Sequence, residues 1–430
     1  MTTTKKPKKQ KLRNAEYYDL QATFDKLYSE SKNGKTFTKI MPIILSENNI
    51  RLAYRNLKRN SGSRTAGTDH KTIKDLETWK EPDLVRYVRK RLEWYIPQPV
   101  RRVEIAKDNG KTRPLGIPTI QDRLIQQCFL QVLEPICEAK FHDRSFGFRP
   151  NRSQENAVAV AYSLMQIQHL HFVVDLDIKG FFDNVSHGKL LRQMWALGIR
   201  DKTVLSILSA MLKAEVAGIG FPEKGTPQGG IISPLLSNIV LNELDWWISS
   251  QWETMPMRKN YVRTRKDNGV AEKTYAYKVL REKSRLKECY GLRYADDFRI
   301  FCRRRQDAEK LFIATQKWLK ERLGLDISPE KSQIVNLKRK YSEFLGFKMM
   351  VKPNGKSGSK TRYTVVSHVS EKRKKKIKKR ASELVAKIKF PADKFEEHKF
   401  IMDYNSYVMG IHNYYSMATH ANQDFSEIGF

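Results

Sequence analysis

The chain has 430 residues, enough for two or three domains and a sizeable core. Lysine and arginine number 80 against 47 aspartates and glutamates, a formal net charge of +33, so the surface calls for a polyanionic partner, nucleic acid ahead of an anionic membrane. No run of about 18 apolar residues is present to span a bilayer, and the N-terminus lacks the apolar core of a signal peptide.

Four cysteines occur, Cys128, Cys137, Cys289 and Cys302, and none forms a C-x-x-C pair. That pattern speaks against a zinc site or a disulfide framework and fits a reducing cytoplasm. In chain order, residues 1–35 are dense in charge and sparse in apolar residues, which predicts a flexible basic arm. Helical spacing begins near Ile40 and runs through Leu52, Tyr54 and Leu57, stopping at the loop "NSGSRTAGTD" (60–69). "VRRVEIAKDNGKTRPLGIP" predicts a hairpin, with Val103 and Ile105 alternating, a turn at Asp108-Asn109-Gly110, and Pro114 and Pro118 framing the exit.

Gln121 to Lys140 has helical spacing. "HFVVDLDIKGFF" predicts a strand running into a turn, and "ISPLLSNIVLNELDWWI" a helix with Ser233 as N-cap and Pro234 at the first helical position. Residues 252–290 are polar and basic with little periodicity, and read as an insertion or long loop. A hairpin centred on "YADD", a helix over 307–322 and a strand "FLGFKM" follow. From "EKRKKKIKKR" (371–380) onward the pattern is helical and very basic, with a thin apolar stripe at Ile377, Leu384, Val385 and Ile388.

The stretch "LRYADDFRIF" (292–301) sets Asp296 and Asp297 side by side between apolar runs. An Asp-rich turn is the ordinary reading. Two features favour another. Asp175 and Asp177 end a second apolar strand and share a face by its period of two, and the basic excess points to a polyanionic substrate. Carboxylates drawn from two strand ends form a hard-oxygen site for a pair of Mg²⁺ ions, with Mn²⁺ as a substitute, suited to in-line phosphoryl displacement. Metal would remove the repulsion that otherwise opposes such a cluster.

"YADD" (294–297), "FVVDLDIKGFFDNVSH" (172–187) and "GTPQGGIISPLLSNIVLNELD" (225–245) resemble the catalytic motifs of reverse transcriptases of the group II intron-encoded type. "RPLGIPTIQDRLIQQ" (113–127), "FHDRSFGFRPNRS" (141–153), "SPEKSQ" (328–333) and "EFLGF" (343–347) resemble the flanking blocks, in the family's order. "IMDYNSYVMGIHNYYS" (401–416) is similar to the thumb, or maturase-specific, region. The family's DNA-binding and HNH nuclease motifs are not found. The resemblance implies an α+β right-hand polymerase with fingers and palm, an antiparallel sheet with helices on one face, and a helical thumb. Its segments would be the arm (1–35), an N-terminal extension with fingers (36–170), a palm (171–350) carrying the 252–290 insertion, and a thumb-like region (351–430).

By resemblance, Asp177 and Asp296 are the metal ligands and Asp297 the neighbouring acid, while Lys331 matches the lysine that protonates pyrophosphate. Asp175 has no family role and reads as a structural or solvated charge. Phe182 takes the steric-gate position beneath the incoming sugar, partly exposed in a cleft, with Phe181 as a core ring. Gln228 lines the nucleotide pocket, where Gly229 and Gly230 allow close backbone approach, and Lys111 and Arg113 clamp the triphosphate.

The run Lys372, Arg373, Lys374, Lys375, Lys376, Lys378 and Lys379 is expected to contact nucleic-acid phosphates, and the 252–290 insertion, with Arg258, Lys259, Tyr261, Arg263, Arg265 and Lys266, to suit structured RNA. The implied partners are an RNA template with a DNA or RNA primer, deoxynucleoside triphosphates and group II intron RNA, in the cytoplasm and away from membranes. The rival readings are a splicing factor without polymerase activity and a related enzyme turned to defence.

Overall fold

The computed structural model describes residues 14–106, 112–257, 259–265, 269 and 271–429. In chain order the elements that matter here begin with helices α1 (Gln21–Lys32) and α2 (Glu47–Arg59), strands β1 (Arg101–Ala106) and β2 (Thr112–Ile117), and helices α3 (Ile120–Glu138) and α4 (Gln154–Gln166). Strand β3 (Phe172–Leu176) and the short helix α5 (Phe181–Asn184) precede helices α6 (Ser233–Ser250) and α7 (Thr274–Lys283). The hairpin β4 (Cys289–Tyr294) and β5 (Asp297–Cys302) leads to α8 (Arg305–Trp318), then strands β6 (Gln333–Asn336), β7 (Ser342–Phe344), β8 (Phe347–Ser357) and β9 (Lys360–Val369). Helices α9 (Glu371–Lys389), α10 (Lys394–Tyr415) and α11 (Ala421–Ile428) close the described chain. Among the described residues every pair of strands is antiparallel, and with the helices this mixed content fits an α+β protein. No helix among the described residues is long and apolar enough to cross a membrane.

Two compact units emerge. One takes in the residues through Phe141, with Gly180–Asn242 and Glu321–Leu325; the other takes in His142–Lys179, Glu243–Lys320 and Asp326–Phe430. The first is built around α3, in which Ile120, Leu124, Cys128, Phe129 and Val132 are fully buried. Thr119 caps this helix by accepting from the Asp122 amide. The buried Arg123 guanidinium donates to the carbonyls of Gly62 (2.8 Å) and Thr65 (2.6 Å), which fixes the 60–69 loop.

Helix α1 corrects the expectation of a flexible arm over 1–35. Leu20, Phe24, Leu27 and Ser31 recur at helical spacing; Leu27 is buried, and the Ser31 hydroxyl donates to the Ile136 carbonyl of α3 at 2.7 Å. A sparse stripe suffices here because a large apolar helix receives it. Residues 1–13 lie outside the described residues.

The second unit centres on a four-stranded sheet in the order β4-β5-β3-β6. The interior strands are apolar, with Val173, Val174, Ile300 and Phe301 all buried. Gly291 of β4 leaves room for Ile248 of α6, since an added Cβ would lie 3.2 Å from its side chain. The 252–290 interval is not an unstructured insertion: α7 occupies 274–283, with Ala276 and Leu280 buried. Trp252, 1% exposed, stacks on Tyr277 (5.9 Å between ring centroids) and donates from Nε1 to the Tyr290 hydroxyl at 3.2 Å. Three aromatics and two buried apolar residues, Ala276 and Leu280, anchor it, too few to show against so many cations. Arg258 and Lys266 lie outside the described residues.

Candidate active site

The acids of the second unit meet at adjoining strand ends. Strand β5 pairs with β4 through Tyr294 opposite Asp297, which leaves Ala295 and Asp296 as a two-residue loop. Ala295 has φ 58°, a left-handed conformation that costs a non-glycine residue energy and persists only where its surroundings hold it. Two contacts hold it here. The Arg293 guanidinium donates from Nη1 to the Ala295 carbonyl at 2.8 Å, and it is locked by Asp245 of α6 through Nε (2.9 and 3.0 Å) and Nη2 (2.7 Å). Behind the loop, an added Cβ at Gly147 would stand 2.3 Å from the Ala295 nitrogen, so only glycine fits. The "RSFGF" segment reaches this place by pairing with β4: Phe146 N donates to Arg293 O and Arg293 N to Arg144 O, both at 2.9 Å.

Asp177 lies just past β3, opposite the YADD loop on the neighbouring strand. Its backbone is gripped by both serines of "SPEKSQ": Ser328 N donates to Asp177 O (2.8 Å), and Asp177 N donates to Ser332 Oγ (3.2 Å). Lys331 of the same segment donates from Nζ to Asp177 Oδ2 at 3.1 Å. Asp177, Asp296, Asp297 and Lys331 therefore belong to one cluster. Ser328 and Ser332 were missed as positioning residues, although their spacing around Lys331 was visible.

Asp175 is not solvated. It faces Arg299 of β5 in direct register and forms an ion pair with it, and the same nitrogen, Nη1, lies 3.0 Å from Asp297 Oδ1. Burial pushes the Asp175 carboxyl up to about 6, opposed by Arg299 and reinforced by Asp297 and Asp177. Burial likewise raises Asp297, with Arg299 opposing and Asp296 and Asp177 adding to it. The acids thus feel one another, as expected of carboxylates gathered around a cation site.

Among the described residues no group of three or more His, Cys, Asp or Glu forms a metal cage on its own. Mg²⁺ is commonly held by one or two carboxylates, completed by water and phosphate oxygens, rather than by an all-protein cage. The hard-oxygen pair Asp177 and Asp296 fits that requirement.

In the first unit, the "TPQGG" segment lies against β2 and α5. Gly116 N donates to Gln228 O at 2.8 Å. Gly229 has φ 131°, and an added Cβ would stand 2.5 Å from the Gly116 carbonyl. Gln228 lines a cavity of about 340 Å³ with Arg102, Gly116, Asp183, Phe221 and Lys224. Thr226 N donates to Phe182 O at 2.8 Å. Phe182 is buried at 8% exposure, against 2% for Phe181, and the two rings meet edge to face at 5.3 Å. The expected partial exposure of Phe182 is not found: both rings of this short helix are buried. Ser233 does not cap α6. The helix starts at Ser233 itself, and its hydroxyl donates to the Pro227 carbonyl at 2.8 Å. Arg113 sits in β2 opposite Ile105. Lys111 lies outside the described residues, as does the 108–110 turn.

The basic run forms the first turns of α9, with Lys372, Arg373, Lys375, Lys376, Lys378 and Lys379 exposed. Lys374 is a correction. It is 6% exposed and lies 2.6 Å from both Asp424 and Glu427 of α11, so it serves packing rather than phosphate contact.

Residues 105–349 match the reverse transcriptase (RNA-dependent DNA polymerase) family. Over 92% of its length the chain is 31% identical to the group II intron-encoded protein LtrA of Lactococcus lactis subsp. cremoris, covering 73% of that protein. This chain is a reverse transcriptase of the group II intron-encoded type. It is also 34% identical to protein YkfC of Escherichia coli over 60% of the chain and 68% of that protein. To the putative COX1/OXI3 intron 2 protein of Saccharomyces cerevisiae it is 28% identical, over 75% of the chain and 40% of that protein. The family match spans β1 to β8 and so takes in every acid of the cluster.

Proposed function

We propose that this chain extends a DNA or RNA primer on an RNA template, using deoxynucleoside triphosphates and Mg²⁺, and that it binds group II intron RNA. The observation that carries the reading is the meeting of Asp177 and Asp296 at adjoining strand ends, the first with its backbone fixed by Ser328 and Ser332 and the second beside an Ala295 carbonyl held by Arg293. In this reading β1 and β2 belong to the fingers, the four-stranded sheet is the palm, and α9 to α11 form the thumb.

The primer 3′-hydroxyl releases its proton to solvent and its oxygen attacks the α-phosphorus; the new P–O bond forms as the α–β bridge breaks and pyrophosphate departs. Two Mg²⁺ ions held by Asp177 and Asp296 would supply activation of the hydroxyl and neutralisation of the leaving charge. Lys331, already at the carboxylate of Asp177, donates the proton to pyrophosphate. Gln228 lines the nucleotide cavity, Arg113 and Lys111 approach the triphosphate, and Phe182 excludes the 2′-hydroxyl. Asp296→Asn should reduce primer extension by orders of magnitude while RNA binding persists. Extension at the parental rate would refute the ligand assignment, and a parent that bound intron RNA but never extended a primer would favour the splicing-factor reading.

A further inference from the structure

Arg299 occupies an unusual place for a cation. Its strand, "DFRIFC", is otherwise apolar after Asp297, and the Arg299 side chain is 6% exposed. Its orientation is fixed on three sides. Nη2 donates to the Glu343 carbonyl, the guanidinium lies 5.0 Å from the centre of the Phe344 ring, and Nη1 faces two carboxylates at once, Asp175 and Asp297. The register explains the sharing: Asp175 is directly opposite Arg299 across β3 and β5, and Asp297 precedes it by two on the same strand, hence on the same face.

We propose that Arg299 is a positioning residue that holds the Asp297 carboxylate back against the sheet, and that Asp175 sets how firmly it does so by competing for Nη1. The inference rests on the polymerase reading above and deepens it. In the free protein Asp297 is paired with a buried guanidinium, whereas Asp177 meets the exposed, displaceable Lys331 and Asp296 is exposed, so these two are the pair offered to a divalent cation. A guanidinium with one nitrogen between two carboxylates divides its charge between them. Weakening the Asp175 side strengthens the Asp297 side, and removing Arg299 releases Asp297 altogether. A pair that merely tied two strands together would affect stability without touching cation affinity.

The test is Mn²⁺ binding to the nucleic-acid-free protein, followed by electron paramagnetic resonance of unbound Mn²⁺, with thermal melts to confirm folding. Arg299→Gln should tighten Mn²⁺ binding by roughly tenfold, since a positive charge leaves the cluster and a carboxylate is freed. A general field effect would do the same, so the comparison is repeated with Asp297→Asn present. There Arg299→Gln should change affinity by less than about twofold, because its route of action is gone. Asp175→Asn, close in shape and safer for folding, should weaken Mn²⁺ binding several-fold, again only while Asp297 is intact. Equal shifts with and without Asp297, or no shift in a folded Arg299→Gln protein, would overturn the inference. If the parent protein bound no Mn²⁺ and Asp296→Asn changed nothing, the metal reading itself would fall instead.

Discussion

Removing Asp245 tests how the YADD loop is held. Arg293 is 1% exposed and the Asp245 side chain 9%, with three contacts between them and a fourth from Arg293 to the Ala295 carbonyl. Asp245→Ala leaves a guanidinium buried without its counter-ion, a change that typically costs about 3–5 kcal/mol. For a unit of this size that corresponds to a fall of roughly 10 °C in the apparent melting temperature. The informative partner is the double variant Asp245→Leu with Arg293→Met, in which two apolar side chains replace the pair. Stability should largely return, because burying a matched ion pair gains little over apolar packing. Primer extension should not return, because the Ala295 carbonyl loses its donor and the left-handed residue beside Asp296 loses a restraint. Melting and extension on a primed RNA template are measured for each variant. A double variant that is both stable and fully active would refute the argument, since Arg293 would then be packing and nothing more.

Neutralising Lys372, Lys375, Lys376 and Lys378 together should lower the slope of log affinity against log salt by up to about 0.7 per lost phosphate contact on single-stranded RNA, whereas Lys374→Gln should leave the slope alone and reduce stability. Phe182→Val should admit ribonucleotides and retain deoxynucleotide use at some cost in stability, since that ring too is buried, with Phe181→Val losing stability but not changing sugar choice; a change of sugar choice in Phe181→Val alone would move the gate to Phe181. Burial, aided by Lys338, lowers His171 to about 4, so the folded state excludes the proton that the unfolded chain binds near pH 6.5. Its stability contribution is present above pH 6.5 and is lost as pH falls toward 4, by at most about 3 kcal/mol, and His171→Phe should flatten that limb of a pH–melting curve.

The acids of the site were legible because each sits in a short block whose own residues build its surroundings. "SPEKSQ" carries the two serines and the lysine that meet Asp177, and "YADD" brings its own turn. What could not be read depends on partners far away in sequence. Asp175 meets Arg299 across 124 positions, and without the strand register a structural charge cannot be told from a solvated one. Lys374 was misread as a phosphate contact although it precedes Ile377 by three and Leu384 by ten, on the buried stripe of α9; its acids arrive only with α11, some 50 residues on. Helix α1 was hidden for a related reason: its stripe is short, and only the apolar surface of α3 makes it enough.

The two arginines of the YADD hairpin bear on one difficulty from opposite sides. Paired register sets Arg293 opposite Phe298 on one face of the sheet, and Arg299 with Asp297 on the other. The chain must fold before any cation or triphosphate arrives, so a loop dense in carboxylate charge needs counter-charge from the protein itself. A lysine on the loop's own carboxylates would compete with a cation for the same oxygens, as the exposed Lys331 does at Asp177. Buried guanidiniums beneath the loop avoid that competition: one fixes the backbone through a carbonyl, the other takes up the spare carboxylate. Asp296 is then left exposed at the tip, with neither arginine on its side chain among the contacts described. A loop stabilised from below in this way can present its charge outward and still belong to a stable sheet.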